Sequence, residues 1–157
     1  MPHPVEIRLP VLDHAGERQI EESIPAESLG EHRYRLLASP GLVEGLAAGD
    51  EIALAPDVPA GFTVLRRGGR LCVWVYVPEP PAEQTDTRLS AAAGVLGGYL
   101  DGGNRGLRIL TVPLGAGFSQ VEAELDGVVR DLPGSSWAYG NVYDRDDQPL
   151  GWWNPQT

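Results

Sequence analysis

The stretch Tyr34–Leu54, YRLLASPGLVEGLAAGDEIAL, predicts a short helix set between two β-strands. Alternating apolar residues over 32–38 and again over 51–54 are typical of strands. Between them, Ser39-Pro40 supplies an N-cap and a first-turn proline, and Gly49 stands where a left-handed helix C-cap is needed. We therefore expect the short helix to close the open end of a small curled sheet or barrel with its apolar side chains.

Two further strands precede this stretch. Residues 5–9 and 18–24 carry apolar residues at strand spacing, and the segment 13–16, DHAG, is typical of a turn. Pro25 cannot donate a backbone hydrogen bond, so it places the second of these strands at a sheet edge.

The most strand-like run in the chain is Leu71–Val77, LCVWVYV. Cys72, Trp74 and Tyr76 share one face of this run, and the other face is also apolar, which predicts a central strand buried on both sides. The preceding RRGGR segment, Arg66–Arg70, has a glycine pair between β-rich runs and therefore predicts a hairpin.

The back half of the sequence alternates between strand and helix. Ser119 and Glu122 form the S-x-x-E capping pattern that opens an amphipathic helix. The predicted elements after the central strand are a helix from Thr85 or Asp86 to about Leu100, a strand over 107–113, a helix from Ser119 to about Leu132 and a strand over 137–143.

These elements predict an α+β fold in a single domain, residues 1–157. Its front lobe, residues 1–78, is expected to be β-rich, a small curled sheet or barrel with a short helical plug. It continues into a strand–helix–strand–helix–strand α/β sandwich, and the back lobe, residues 79–157, is expected to share its core.

Charge limits the class of partner. Twenty-two Asp and Glu residues face twelve Lys and Arg residues, all of them arginine, for a net charge of −10. This balance argues against binding nucleic acid or an anionic membrane surface, and it is compatible with electrostatic attraction to a basic protein.

The chain is expected to stay in the cytoplasm. No apolar run approaches the roughly 20 residues that a membrane span needs, and the N-terminus MPHPVEIRLP lacks the features of a signal peptide. The lone cysteine, Cys72, excludes an internal disulfide and is expected to be a buried core thiol.

No motif predicts a catalytic, metal or cofactor site. Gly115-Ala116-Gly117 resembles a phosphate loop but lacks the third glycine, and a flexible loop is the simpler interpretation. Asp144–Asp147, DRDD, resembles the start of a calcium loop, but prolines stand where the calcium pattern needs glycine and glutamate. The three histidines, His3, His14 and His32, lack metal-ligand spacing.

Two features remain as candidate contacts. The arginines Arg66, Arg67 and Arg70 either bind an anion or simply form a solvated turn. The adjacent pair Trp152-Trp153 either packs as a tail or forms part of a partner interface. The candidate partner interface comprises Asp144, Asp146, Asp147, Trp152 and Trp153.

The sequence also resembles a bacterial family known as domain of unknown function 4265. The resemblance is carried by Tyr34-Arg35-Leu36, by Gly49-Asp50 before a strand, by the FTVLRRGGRL segment 62–71 and by the W-A-Y strand, and it covers roughly 31–143. The residues before 31 and the Trp-rich tail lie outside it. The family implies no established activity and no catalytic residues.

Two functions remain open from the sequence. The first is a non-catalytic, acidic protein-binding module, most concretely an immunity protein that neutralises a toxin by covering its basic active cleft. The alternative is a small-molecule or nucleotide-ligand-binding domain, or a small enzyme. It would use a cleft between the two lobes, with the Gly115–Gly117 loop and the arginines as anion contacts.

Overall fold

The computed structural model describes residues 3–154 of the chain. It contains two antiparallel sheets and two α-helices, which confirms the α+β class. The first sheet is a five-stranded meander in sequence order, so each strand pairs with its neighbours along the chain. Its strands are β1 (Pro4–Leu12), β2 (Arg18–Gly30), β3 (Arg33–Leu36), β4 (Glu51–Leu54) and β5 (Phe62–Arg66).

The first sheet curls over its own core. Leu9, Ile24, Leu36 and Ile52 are fully or almost fully buried in that core. The side chain of Arg18 donates hydrogen bonds to backbone carbonyls in the turn between β4 and β5, which ties the start of β2 to the far side of the sheet.

The second sheet has four strands in the order β7-β8-β6-β9, all antiparallel. With its two helices it forms a β-α-β-β-α-β unit of the split type, in which both helices cover one face. Its elements are β6 (Arg70–Tyr76), α1 (Thr85–Val95), β7 (Tyr99–Asn104), β8 (Leu107–Pro113), α2 (Phe118–Asp131) and β9 (Ser136–Tyr139).

The central strand β6 is buried on both sides, as its sequence predicts. Val73 and Val75 face the helices and pack with Leu89 of α1 and Leu125 of α2. Trp74, like Cys72 beside it, faces the opposite side, where the segment 39–50 covers part of the sheet. That segment therefore joins the cores of the two sheets.

The predicted helix between Pro40 and Gly49 does not form, and turns and bends occupy the segment instead. The expected N-cap is not available to start a helix, because the Ser39 hydroxyl accepts a hydrogen bond from the N–H of Ala48 and shares one with the hydroxyl of Thr111. The carboxylate of Glu22 on β2 accepts hydrogen bonds from the backbone N–H groups of Gly41, Leu42 and Val43 at 2.7–2.9 Å. These bonds fix the backbone in a loop conformation, so the first sheet has no helical plug.

The predicted hairpin at Arg66–Arg70 is also wrong, because β5 and β6 belong to different sheets. The glycine pair instead carries the chain from one sheet to the next. Gly68 packs directly on the backbone of Gly49, and a Cβ at position 68 would lie 2.6 Å from the Gly49 carbonyl carbon. The boundary between the two sheets therefore lies at 67–69 rather than at residue 78.

Helix α1 ends at Val95, five residues before the predicted end. Gly97 adopts a left-handed φ of +80°, which stops the helix. Gly98 then approaches β8 so closely that a Cβ there would lie 2.0 Å from the carbonyl oxygen of Thr111. The segment that follows is β7, so the observed order is strand–helix–strand–strand–helix–strand.

The S-x-x-E pattern does not cap α2. The N-cap residue is Gly117, with no side-chain capping bond, and the helix begins at Phe118. Glu122 accepts a hydrogen bond from the hydroxyl of Tyr139 on β9 instead. The last strand is shorter than predicted and ends at Tyr139, after which Tyr143 forms an isolated bridge with Pro149.

Candidate functional site

A groove of about 540 Å³ lies along β9, an edge strand of the second sheet. We call it the edge groove. Among the described residues no arginine or histidine lines it. Its carboxylates are Glu44, Glu122, Asp126, Asp144 and Asp147. Its aromatic side chains are Trp74, Tyr76, Trp137, Tyr139 and Tyr143.

On the helix side of the groove, β9 and α2 position two aromatic–carboxylate pairs. The indole N–H of Trp137 donates to Asp126 at 3.0 Å, and the hydroxyl of Tyr139 donates to Glu122 at 3.1 Å. Trp137 and Tyr139 meet edge to face, with ring centroids 4.9 Å apart. Residues i and i+2 of a strand share a face, so the W-A-Y sequence places both rings toward α2.

On the opposite side of the groove, β6 contributes Trp74 and Tyr76. The indole N–H of Trp74 donates to the carbonyl of Pro40 at 2.8 Å, which fixes this ring under the segment 39–50. Glu44 belongs to the same segment and lines the groove. Tyr76 is 45% exposed, so its ring is available to a ligand.

The third part of the groove is a tight acidic turn after β9. One side-chain oxygen of Asp144 accepts hydrogen bonds from the backbone N–H groups of Asp146 and Gln148. Asp147 adopts a positive φ of +59° within this turn. The turn directs the predicted interface residues Asp144 and Asp147 into the groove, and Asp146 lies in the same exposed turn without lining it.

Burial and neighbouring carboxylates raise the pKa of two groove phenols, Tyr139 and Tyr76. Burial, reinforced by the charge of Glu122 and by the hydrogen bond to it, raises the pKa of Tyr139 well above its ordinary value. Burial and then Glu44 raise the pKa of Tyr76. The groove therefore presents negative charge, phenolic hydroxyls and aromatic faces, which together suit a cationic ligand through hydrogen bonds and cation–π contacts.

Trp152 and Trp153 do not line the edge groove. Both are half-buried and pack against the core under the helices. The Trp152 indole donates to the carbonyl of Asn141 at 2.8 Å and stacks edge to face on Trp153, which contacts Phe118. Arg67 lies over the Trp152 ring, 5.4 Å from its centroid. The packed-tail alternative thus describes this pair, and whether it also contacts a partner stays a prediction.

The arginines that the sequence singles out do converge. Arg66, Arg67 and Arg70 line a pocket of about 290 Å³ together with Arg35. Much of their positive charge is already paired with groups of the protein itself. Arg67 donates to Asp50 and to the carbonyl of Gly45, and Arg35 and Arg66 both pair with Glu51. The Gly115–Gly117 loop does not line this pocket.

A separate, mostly apolar pocket of about 190 Å³ adjoins the edge groove. It lies between the first sheet, through Leu12 and Phe62, and the C-terminal segment, through Tyr143 and Leu150. It corresponds to the cleft between lobes expected from the sequence, but the arginine pocket and the Gly115–Gly117 loop do not contribute to it.

The remaining chemical candidates are dispersed. Within residues 3–154, no three or more His, Cys, Asp or Glu side chains gather in a way that could hold a metal ion. Cys72 is fully buried, and its burial raises the pKa of the thiol far above the ordinary value. Neither described helix is long and apolar enough to cross a membrane.

Residues 22–133 match the family described as a domain of unknown function (DUF4265). The chain belongs to this family. Among curated proteins, none matches it significantly. The structure is similar to the crystal structure of a hypothetical protein from Neisseria gonorrhoeae, with a TM-score of 0.64 and 13% sequence identity, over 89% of this chain and 94% of that chain. At this identity the similarity concerns the fold alone.

The DUF4265 match divides the edge groove. The matched region begins at Glu22, the residue that holds the segment 39–50 in place, and it ends at Pro133, before β9. Glu44 and the β6 aromatics lie inside the family region. The β9 aromatics and the acidic turn lie beyond it. Sequence reasoning identified the turn but missed the β6, β9 and α2 residues. The alternation within LCVWVYV and W-A-Y was the only signal for the strand residues.

Proposed function

We propose that the protein is a non-catalytic binding module whose edge groove covers a basic surface of a partner protein. The observation that supports this most directly is the lining of the groove, which combines five carboxylates and five aromatic rings without a cation. Charge complementarity of this kind accelerates association and selects partners by sign. The net charge of −10 acts in the same direction at longer range.

The proposal extends to the immunity role expected from the sequence, in which the partner is a toxin and binding occludes its basic active cleft. In that role the protein acts in the cytoplasm. The support is the acidic composition and the acidic groove, and the identity of the partner is the part that experiment must supply.

The test uses two pairs of isosteric substitutions that remove equal charge. The groove pair is Glu44→Gln with Asp147→Asn, because neither side chain makes a hydrogen bond or ion pair to any described residue. The control pair is Glu17→Gln with Asp57→Asn, on exposed turns of the first sheet. Each tagged protein is purified from the organism that encodes it, and bound proteins are quantified by mass spectrometry.

We expect one protein with a basic face to co-purify with the wild type and with the control pair. Its recovery with the groove pair should fall at least tenfold, and about 0.5 M salt should release it from the wild type, because exposed charges are screened over a few ångströms at that ionic strength. Equal recovery with both pairs, or recovery of the protein only as a lone monomer, would contradict the proposal.

A second candidate function is supported by the arginine pocket. Four arginines around about 290 Å³ could hold a phosphate or carboxylate group of a small ligand. A thermal-shift screen with inorganic phosphate and nucleotides tests it, with Arg66→Gln as the variant because that side chain is 78% exposed. Absence of stabilisation by every anion would eliminate this function without affecting the first.

A further inference from the structure

We propose that an extended basic segment of the partner pairs with the outer edge of β9 as an added strand, with its cationic side chains in the edge groove. This inference rests on the proposed function and specifies how the partner is recognised.

The first step is the direction of the β9 backbone groups. The N–H of Gly140 donates to the carbonyl of Cys72 at 2.8 Å, and the register continues as Trp74 with Ala138 and Tyr76 with Ser136. In an antiparallel ladder, alternate residues point toward the partner strand. The N–H and C=O groups of residues 137 and 139 therefore point away from β6, toward the open edge.

The second step is the comparison with the other sheet edges. β1 begins with Pro4 and contains Pro10, whose missing N–H groups interrupt any further pairing. β7 has a register irregularity between Leu100 and Gly102. β5 ends at Arg66, beside the arginine pocket, and so repels a cationic segment. Of the four edge strands, β9 is the one with neither proline nor bulge and with negative charge beside it.

The third step is the fit of the occupant. A strand added to β9 would run about 4.8 Å from it, and its alternate side chains would project about 6.8 Å apart on each face. On one face these positions meet Glu122 and Asp126 of α2, and on the other they meet Glu44 and Asp147. Alternate residues of a strand share one face, so arginine or lysine at alternate positions meets Glu44 and Asp147, where Tyr76 supplies an aromatic face. The intervening residues then face Trp137 and Tyr139, whose polar groups already bind Asp126 and Glu122.

The experiment uses the full chain and a defined probe, the peptide acetyl-Arg-Val-Arg-Val-Arg-Val-Arg-amide. Two further peptides carry N-methyl groups on the arginines or on the valines. N-methylation removes backbone donors without changing charge. Binding is followed by isothermal titration, and hydrogen exchange measures protection of the Trp137 and Tyr139 amides, with the exposed Asp57 amide as the reference.

We expect one methylated peptide to bind at least tenfold more weakly than the parent and the other less than twofold more weakly, because only alternate amides face β9. Bound parent peptide should slow exchange at residues 137 and 139 at least fivefold and leave residue 57 unchanged. If both methylated peptides bind like the parent, strand addition is wrong and the acidic groove still binds basic segments. If the parent peptide binds the groove pair of variants as well as the wild type, or binds neither, both proposals fail.

Discussion

Replacing Asp50 by alanine should remove a large part of the stability that holds the two sheets together. Asp50 is 1% exposed and stands at the start of β4. Its carboxylate accepts hydrogen bonds from the backbone N–H of Ala47 at 3.0 Å, the N–H of Gly68 at 2.8 Å and the guanidinium of Arg67 at 3.3 Å. It therefore connects the segment 39–50 to the crossing between the sheets.

The magnitude follows from the groups that Asp50→Ala leaves without an acceptor. Each of the two backbone N–H groups that stays buried without an acceptor lowers the free energy of unfolding by about 1–3 kcal/mol. Arg67 contributes less, about 0–1 kcal/mol, because it keeps its bond to the Gly45 carbonyl and is partly solvated. We expect Asp50→Ala to lower the free energy of unfolding by about 3–5 kcal/mol, where the whole free energy of unfolding of a domain is about 5–15 kcal/mol. Asp50→Asn retains one acceptor oxygen and should lose about 1–3 kcal/mol.

The measurement is urea unfolding at equilibrium, followed by tryptophan fluorescence and far-UV circular dichroism. Asp57→Ala, on an exposed turn, is the matched control and should change the free energy of unfolding by less than about 0.5 kcal/mol. A loss below about 1 kcal/mol for Asp50→Ala would refute the reasoning, because it would mean that water replaces the carboxylate at both N–H groups.

The same residue should make stability depend on pH in an unusual direction. Burial raises the pKa of Asp50 above its ordinary value of 3.8, more than the two N–H groups and Arg67 lower it. The folded protein therefore holds this proton at a pH where the unfolded chain has released it. The stabilisation that comes from this bound proton is complete below pH 3.8, and it declines as the pH rises through the pKa of Asp50 in the folded protein. The stability difference between wild type and Asp50→Asn should narrow as the pH increases from about 4 to about 7, and widening would contradict the assignment.

Three further substitutions or labels examine the loop and the close contacts. Glu22→Gln should lose about 1–3 kcal/mol in urea unfolding, because one amide oxygen replaces a carboxylate that accepts three N–H bonds, whereas Glu21→Gln should be neutral. Gly98→Ala should lose about 3 kcal/mol by calorimetry, because its Cβ meets the Thr111 carbonyl at 2.0 Å, and an unchanged melting temperature would disprove that contact. Cys72 should react with a thiol reagent only at the rate of global unfolding, and fast labelling of the native protein would show that the thiol is accessible.

The elements that the sequence predicts correctly are those whose patterns arise locally. The run LCVWVYV is apolar on both faces, and this pattern of seven residues is enough to predict that β6 is a central strand covered on both sides. The stripe of Val121, Leu125 and Val128 likewise predicts α2, because helical spacing brings these side chains to one face.

The errors lie where a distant group overrides the local preference. The segment after Ser39 has helix-start signals, but the Ser39 hydroxyl binds Ala48 and the distant Thr111 instead of capping a first turn. From the sequence alone, Gly97 and Gly98 could belong to a helix that packs closely on the sheet. The helix ends before them because Gly98 lies against the carbonyl of Thr111 on β8. No local pattern contains that contact, so the sequence extends the predicted helix to about Leu100, into the first residues of β7.

The candidate site was predictable only in part for the same reason. The acidic turn at Asp144 is visible as a run of charges, and the structure places it in the edge groove. Glu44 and Glu122 belong to different elements, and only the strand order β7-β8-β6-β9 brings them to one edge. For Trp152 and Trp153 the sequence leaves a packed tail and a partner interface open, and in the structure both are half-buried, with Trp152 donating to the Asn141 carbonyl and Trp153 in contact with Phe118.

The position of the negative charge bears on how an open edge strand could serve the proposed binding of one cationic partner without self-association. An unpaired edge without bulge or proline invites pairing with a second copy of the same chain. Here a second copy brings its own five groove carboxylates and a net charge of −10, so edge-to-edge pairing opposes like charges. A basic segment, in contrast, is attracted to the same edge by the groove carboxylates. Under the proposed function the carboxylates have two effects, against self-association and in favour of a cationic partner, and neutralising Glu44 and Asp147 should weaken both together.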